Sequence, residues 1–314
     1  MTDPLSELVA LLRPARVMGK RISGAGRWGA RYAPFGHPGF CVVTDGHCVL
    51  TVDGATPLQL QAGDFVFLPS TPGFALSSSE PGELQPIDPA AMEGQRDELH
   101  HGAVVEGEPD MRMLGGYFVF DSPDTALLTA LLPPVVHVRG QARFDVLVRL
   151  VRDEAMQARP GRELILTRLV EVLLIEALRV APGETAPAGL LRGLADERLA
   201  SSIREMHRDP ARAWTVEQLA KAAALSRSAY FQRFTRAVGM PPMEYLLAWR
   251  MAIAKDILDR QDVGIEKVAE RVGYASASTF STAFARHVGR SPGGYARERR
   301  RARSRLGDSE ATDR

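Results

Sequence analysis

The sequence predicts an α+β chain of two domains: a small β-barrel or sandwich with accessory helices, then an all-helical C-terminal domain. Three observations carry this expectation. Up to about Asp121, short apolar runs stand between glycine and proline turns; from Ala142 the apolar spacing becomes helical; and charge is divided unevenly along the chain. Residues 198–305 hold 21 Lys/Arg against 10 Asp/Glu, whereas residues 1–197 hold 17 against 25. The formal net charge of +1 therefore conceals a basic C-terminal part on an acidic body, a distribution suited to a phosphate-bearing partner. The expected division is residues 1–180 for the first domain (barrel about 19–140, helices about 142–180), 181–195 for a linker, 196–305 for the helical domain and 306–314 for a polar tail.

With 314 residues, 45% hydrophobic and 25% charged, the chain can bury two cores. Cys41 and Cys48 are its only cysteines, too few for a disulfide framework, so a reducing compartment is expected. At the N-terminus Thr2 or Asp3 caps a short helix with Pro4 in its first turn and Leu5, Leu8, Val9 and Leu12 on one face. This lacks the basic start and apolar run of a signal peptide, and no later stretch reaches the ~20 apolar residues of a membrane span, so a cytoplasmic location is expected.

Strands are predicted at residues 40–43, 48–52, 58–60, 64–69, 74–76 and 117–120. Many short strands without intervening helices fit a sandwich or small barrel. Asp45-Gly46 reads as the turn of a hairpin. In that register Cys48 faces Val43 with Cys41 as its diagonal neighbour, at ~7–8 Å, beyond the ~3.5–4.5 Å that a relaxed disulfide requires. His47 then lies on the face away from both thiols. Cys41 and Cys48 are candidate sensor thiols if the register differs, and buried structural thiols otherwise. Residues 81–110, rich in Pro, Glu, Gly and Gln, are expected to form a long surface loop.

From Ala142 to Arg179 two helices are predicted, with a break at Arg159-Pro160-Gly161. Leu147, Leu150 and Val151 mark the first, and Ile165, Leu166, Leu169, Val172, Leu173 and Leu178 the second. The apolar stripe is wider than one small barrel obviously needs, and packing onto the chain's own barrel and self-association are equal alternatives for it. The Pro, Gly and Ala rich residues 181–193 read as the linker.

Two helix-turn-helix units follow. In the first, Val216, Leu219, Ala220 and Ala223 mark the supporting helix, Leu225-Ser226 the turn and cap, and Tyr230, Phe234 and Val238 the buried face of the second helix. Arg227, Ser228, Phe231, Gln232 and Thr235 lie opposite. A long connecting helix over residues 242–258 is pinned by Tyr245, Leu246, Trp249, Ile253 and Leu258. In the second unit Val263, Ile265, Val268 and Val272 form one face, Gly273 allows the tight turn, Ser276 caps, and Phe280 and Phe284 fill the core. Arg297, Arg299, Arg300, Arg301, Arg303 and Arg305 read as a solvated, frayed helix end, with added nonspecific phosphate affinity as the alternative.

The tandem units, closed by Gly273-Tyr274, Phe280, Phe284, Gly289, Ser291-Pro292 and Tyr295, resemble the DNA-binding domain of the AraC/XylS family of transcription regulators over about residues 197–300. The run FCVVTDGHCVLTVDG…LQLQAGDFVFLPSTPG, with LGGYFVFD and LLPPVVHVRG, resembles the cupin-type barrel of one branch of that family over about residues 5–140. The resemblance implies double-stranded DNA as partner, a small-molecule effector in the barrel mouth, a homodimer packed through the helices after the barrel, and RNA polymerase as a further partner if the protein activates.

It also places the base-reading positions at Ser228, Phe231 and Gln232, with Arg227 beside them. Gln232 can make a bidentate pair with adenine, and Phe231 can pack on a thymine methyl. Arg233 and Arg236 suit phosphate. The matching positions of the second unit are Ala277, Ser278, Ser281 and Thr282, with Arg286 and Arg290 for phosphate. The family often has Arg where Thr282 stands, so the first unit is expected to specify sequence and the second to add phosphate contacts and shape discrimination.

Many cupins hold a metal through His and Glu, but Cys41 stands where relatives often have His, and Phe74 where a second is expected. His37 and His47 have no acidic partner at ligand spacing. No metal, cofactor or catalytic residue is assigned. Two other function classes are a metal-dependent cupin enzyme with an accessory DNA module, and a constitutive DNA-binding protein whose barrel only dimerises.

Overall fold

The computed structural model describes residues 3–89, 98–102, 108–122, 132–157, 159–179 and 188–301. The expected tail 306–314, the first half of the linker, and Arg303 and Arg305 lie outside them. The chain divides into two compact units, one built on Pro14–Asp121 and Leu132–Ala181, the other on Met1–Arg13 and Pro182–Arg314.

The first unit is a partly closed barrel. Its strands are β1 (Pro14–Ala25), β2 (Gly29–Tyr32), β3 (Gly39–Val52), β4 (Leu58–Gln61), β5 (Phe65–Leu68), β6 (Phe74–Ser77), β7 (Leu84–Ile87), β8 (Glu98–Gly102), β9 (Met111–Phe120) and β10 (Val136–Val138). They run in the order β7-β2-β6-β3-β9-β1-β8, with β4 and the β5-β10 pair attached through β3. Alternate apolar residues of these strands face inward, and Ile22, Tyr32, Cys41, Val43, Leu50, Val66, Leu76 and Met113 form much of the core.

Strand β3 corrects the expected hairpin. It runs unbroken through Asp45-Gly46, pairing with β5 and β9 over its first half and with β4 and β6 over its second. Its register shifts between Val43 and Asp45, and Gly46 has φ +72°, where an added Cβ would run into the Asp110 carbonyl. Glycine therefore bends one long strand from one sheet into the other instead of reversing the chain. Cys41 and Cys48 consequently lie on the same strand, not across a hairpin. His47 is exposed and pairs with Gln61 of β4.

Strand β1 begins before residue 19, the expected barrel start. The expected loop over residues 81–110 contains β7 and β8, which add in parallel to β2 and β1. Parallel addition leaves no adjacent hairpin in the sequence to reveal it. Arg139, just after β10, grips the buried carboxylate of Asp64 at 2.8 and 2.5 Å, fixing that strand to the start of β5.

Helices α2 (Ala142–Met156) and α3 (Arg162–Arg179) complete this unit. Phe144, Val148 and Val151 of α2, and Val170, Leu173, Leu174 and Ala177 of α3, are buried. Val146, Leu150, Met156, Leu164, Ile165 and Val172 remain exposed. The broad apolar stripe thus divides into a buried face and an uncovered one.

The second unit begins with α1 (Pro4–Leu12), capped by the Asp3 carboxylate, which accepts from the amides of Leu5 and Ser6. Leu8 and Leu12 are fully buried, and α1 packs on α5 (Glu197–Arg208) and α8 (Pro242–Arg260). The second half of the expected linker is α4 (Leu190–Ala195), held by the buried Leu190 and Leu191. Two adjacent leucines supply enough apolar area to dock one helical turn despite the glycine-rich surroundings. The remaining helices are α6 (Val216–Ala222), α7 (Arg227–Val238), α9 (Ile265–Arg271), α10 (Ala277–Val288) and a last one, α11, over residues 292–301.

Candidate functional site

In the second unit, two short supporting helices each lead through a tight turn into a twelve-residue helix. Thr215 and Gln218 form a reciprocal capping box at the start of α6. The turn after α6 passes through Ala224 at φ +52°, and the one after α9 through Gly273 at φ +81°. Each is closed by a matching pair of backbone bonds, Ala224 N to Lys221 O and Gly273 N to Glu270 O, both 3.1 Å, with Leu225 N to Ala220 O and Tyr274 N to Ala269 O, both 2.9 Å. Ser226 and Ser276 then cap α7 and α10, accepting from the amides of Ala229 and Thr279. Two different sequences thus produce one turn geometry.

On α7, Tyr230 and Phe234 are fully buried, and the Tyr230 hydroxyl donates to Ser202 at 3.2 Å. Burial pushes the Tyr230 phenol up to about 12, so it keeps its proton. Arg227, Ser228, Gln232 and Arg236 are exposed on the other faces, and Phe231 is 43% exposed. Phe231 is thus exposed beside polar side chains while its neighbours Tyr230 and Phe234 fill the core.

The arginines are less alike than the sequence suggests. Arg233 donates to Asp196 at 2.5 Å, and Asp196 also caps α5. Burial works against ionisation of Asp196, yet Arg233 and two backbone amides hold its carboxyl below the usual range. Arg233 therefore fastens α7 to α5, while its side chain stays 49% exposed. Arg227 pairs with Glu217 at 2.8 Å, and Arg290 pairs with Glu298. Among the described residues, Arg236 and Arg286 make no ion pair.

On α10, Phe280 and Phe284 are fully buried, in a chain of edge-to-face and tilted ring contacts that includes Tyr274 and Tyr295, at centroid distances of 5.5–5.7 Å. Ser278 and Thr282 are exposed, and Ala277 and Ser281 half-buried. The Thr282 hydroxyl donates to the carbonyl of Ser278 at 3.1 Å, which occupies its proton on its own helix. This face offers a base edge fewer free donors than α7.

The spacing of the two recognition helices is set by α8. Trp249 and Tyr245 are fully buried along it, and Arg250 donates to the carbonyls of Pro210 at 2.7 Å and Arg212 at 2.8 Å. Its last turn carries Asp259, whose buried carboxylate accepts from Arg299 at 3.0 Å and Arg13 at 3.4 Å. Arg299 of the expected solvated tail is thus a structural partner, and Arg300 pairs with Asp262 at 2.8 Å. Neither the Asp259 cluster nor the His207–Tyr245 pair on α5 and α8 is marked in the local sequence, because each joins elements far apart along the chain.

The family description "Cupin" matches residues 3–181 and "Helix-turn-helix domain" matches residues 219–298. A "Putative AraC-like transcription regulator" of Streptomyces lividans is 35% identical over 302 residues, spanning 93% of this chain and 97% of that one. The chain belongs to the AraC-like transcription regulators. A second protein of that name, from Streptomyces antibioticus, is 35% identical across 93% of this chain and 98% of its own. An "Uncharacterized HTH-type transcriptional regulator" of Haemophilus influenzae is 30% identical across 82% and 85%. The AraC-like regulator is a DNA-binding protein, and its tandem helix-turn-helix units are the part that meets the duplex.

The barrel of this AraC-like regulator encloses a cavity of about 730 Å³, walled by strands of both sheets and by α3. Cys41 lines it; both thiols are buried and unbonded. Burial pushes the Cys41 thiol well up and that of Cys48 to about 12, which favours the protonated form of both over a reactive thiolate. His101 lies between Trp28, stacked at 5.3 Å, and the Tyr32 hydroxyl, 3.0 Å from Nε2. Burial lowers its pKa to about 4, and the ring is neutral. His37 packs against Phe35 and Tyr117. Among the described residues no three His, Cys, Asp or Glu side chains converge as metal ligands, and no helix is long and apolar enough to cross a membrane.

Proposed function

We propose that this regulator acts in the cytoplasm as a homodimer and not as an enzyme, and that a small molecule in the barrel cavity alters how it holds promoter DNA. Helix α7, through Ser228, Phe231 and Gln232 with Arg227 beside them, reads the sequence. Ala277, Ser278, Ser281 and Thr282 of α10 contribute shape discrimination, and Arg233, Arg236, Arg286 and Arg290 meet phosphate. If the bound protein activates, RNA polymerase is the further partner.

The observation that carries this reading is the double role of α3. It walls the cavity through Thr167 and Val170, and it presents Ile165 and Val172 uncovered, 45% and 41% exposed. With Val146 and Leu150 of α2, these residues make apolar surface of the kind that marks an interface, and a second copy of the same helices is its complement. An effector that binds two dimer arrangements unequally then changes which half-sites are held together.

Light scattering and sedimentation of wild type and of a Leu150→Asp/Ile165→Asp variant test the dimer. A wild-type dimer and a folded variant monomer are expected. A monomeric wild type at micromolar concentration sinks the proposal. For coupling, candidate ligands that fill the cavity but leave DNA affinity and site spacing unchanged would leave a barrel that only dimerises.

A further inference from the structure

We propose that the barrel cavity takes a neutral, largely apolar, flat small molecule bearing at most one or two polar groups, not a sugar and not a carboxylate or ammonium metabolite. This deepens the effector reading above, and rests on that reading only for its regulatory meaning.

The inner wall is the first argument. Ile22, Leu50, Val66, Leu68, Leu76 and Met113 line the barrel from five strands, and each is at most 8% exposed. A hexose carries a hydroxyl on nearly every carbon, and each needs a partner once water is displaced. This wall offers few. Its polar groups include Tyr32 with its partner His101, and the protonated thiol of Cys41.

Charge is the second. The charged residues around the cavity lie on β1 and α3: Arg21 pairs with Glu98 at 3.4 Å, Arg168 with Glu171 at 2.8 Å, Lys20 and Arg162 are also engaged, and Glu163 of α3 is exposed to solvent. No carboxylate stands among the inward-facing strand residues of the lining to meet a ligand cation. An ionised ligand would therefore enter an apolar space without a dedicated counter-charge. The neutrality of His101, buried between two aromatic rings, keeps the polar end of the wall uncharged as well.

The shape is the third. Tyr32 and Phe74 stack face to face at 4.6 Å and 7° on one side of the cavity. Glycines face each other in register on β1 and β9, Gly19 opposite Gly116, with Gly115 next to it and opposite Cys41 of β3. All of these glycines line the cavity. Aromatic rings suit a flat ring system, which gains stacking and contact area without needing hydrogen bonds.

The test uses the full chain and the neutral fluorophore N-phenyl-1-naphthylamine. Saturable, blue-shifted fluorescence is expected, displaced by 2-acetylnaphthalene at least tenfold more effectively than by its near-isostere 2-naphthoate, and not by hexoses. A Leu50→Trp variant, which fills the cavity, is expected to weaken probe binding at least tenfold while retaining DNA binding, the sign that the chain still folds. Should that variant lose DNA binding, Leu76→Phe replaces it with the same expectation. Preferential displacement by naphthoate or by a hexose overturns the ligand class. Absence of saturable binding, or unchanged binding in a folded cavity-filled variant, overturns the site. Probe occupancy without any change in DNA affinity overturns only the effector coupling, so the two failures are separable.

Discussion

His207 and Glu7 are 200 residues apart in the chain and 2.8 Å apart in space, Nδ1 to Oε2. The other ring nitrogen, Nε2, lies 2.6 Å from the Tyr245 hydroxyl. Burial lowers the His207 pKa against the pull of the Glu7 carboxylate, and burial raises that of Tyr245 well above its ordinary value. A neutral imidazole and a protonated phenol fix the direction of both bonds: Nδ1–H donates to Glu7, and the Tyr245 hydroxyl donates to Nε2. The contact is a tautomer-specific bridge from α1 to α5 and α8, not an ion pair.

Its pH dependence follows. In the unfolded chain His207 titrates near its ordinary value of 6.5, and in the fold below it. Between those values the unfolded chain binds more protons, so this contribution is present above pH 6.5 and is lost as pH falls towards the lowered value. Urea titrations followed by the fluorescence of Trp249, stacked on His207 at 4.0 Å, are expected to give a lower midpoint at pH 5.5 than at pH 7.5. His207→Gln should reduce that difference. Glu7→Ala leaves the buried Nδ1–H without its acceptor and should cost about 1–3 kcal/mol.

Gln232→Ala and Arg236→Ala should differ in kind. The first removes a side chain able to pair with a base edge, and selection from random duplexes is expected to show relaxed preference at one or two adjacent positions, losing about 1–3 kcal/mol of discrimination. The second removes a phosphate contact, so all sequences weaken together and the salt dependence of log K falls by about one unit of slope. Uniform weakening by Gln232→Ala would mean that it only positions the domain.

The paired turns make opposite predictions for two small residues. Ala224 sits in the left-handed region, where a side chain costs about 1–2 kcal/mol relative to glycine, offset in part by the greater freedom of glycine in the unfolded chain. Ala224→Gly should therefore stabilise by up to about 1 kcal/mol. Gly273→Ala meets the same backbone penalty and drives its Cβ into the Ala211 carbonyl, so a loss of about 2 kcal/mol or more is expected, read as a fall in denaturation midpoint.

Peroxide titration of DNA binding should separate the thiols from any sensing role. With Cys41 and Cys48 buried and protonated, wild type and Cys41→Ala are expected to respond alike. A response present in wild type and absent in the variant would restore the sensor.

Much of the helical half was legible because its signals are local. Ser226 and Ser276 announce their caps, Phe280 and Phe284 their buried face, and four-residue spacing places Phe231 and Gln232 opposite Tyr230 and Phe234. The barrel was legible as a class but not in its connections. Asp45-Gly46 carries the chemistry of a hairpin turn, and only the pairing of β3 with four partners reveals that Gly46 bends a strand instead. Long-range partners were hidden for the same reason: nothing near Arg233 marks Asp196, and nothing near Glu7 marks His207. The destination of α1 is set by which apolar surface it covers, a choice its own amphipathic pattern leaves open.

Arg250 and the buried aromatics of α8 hold the two reading helices at one separation, and that rigidity moves the burden of adaptation to the duplex. Each base pair inserted between the two target segments rotates one of them by roughly 35° about the DNA axis. A protein that cannot twist to follow leaves the DNA to absorb the torsion, which favours operators whose intervening steps are soft pyrimidine–purine pairs. The stiffness of one helix is thereby expected to appear as selectivity for bases that no side chain touches, which binding to operators differing only in those intervening steps would measure.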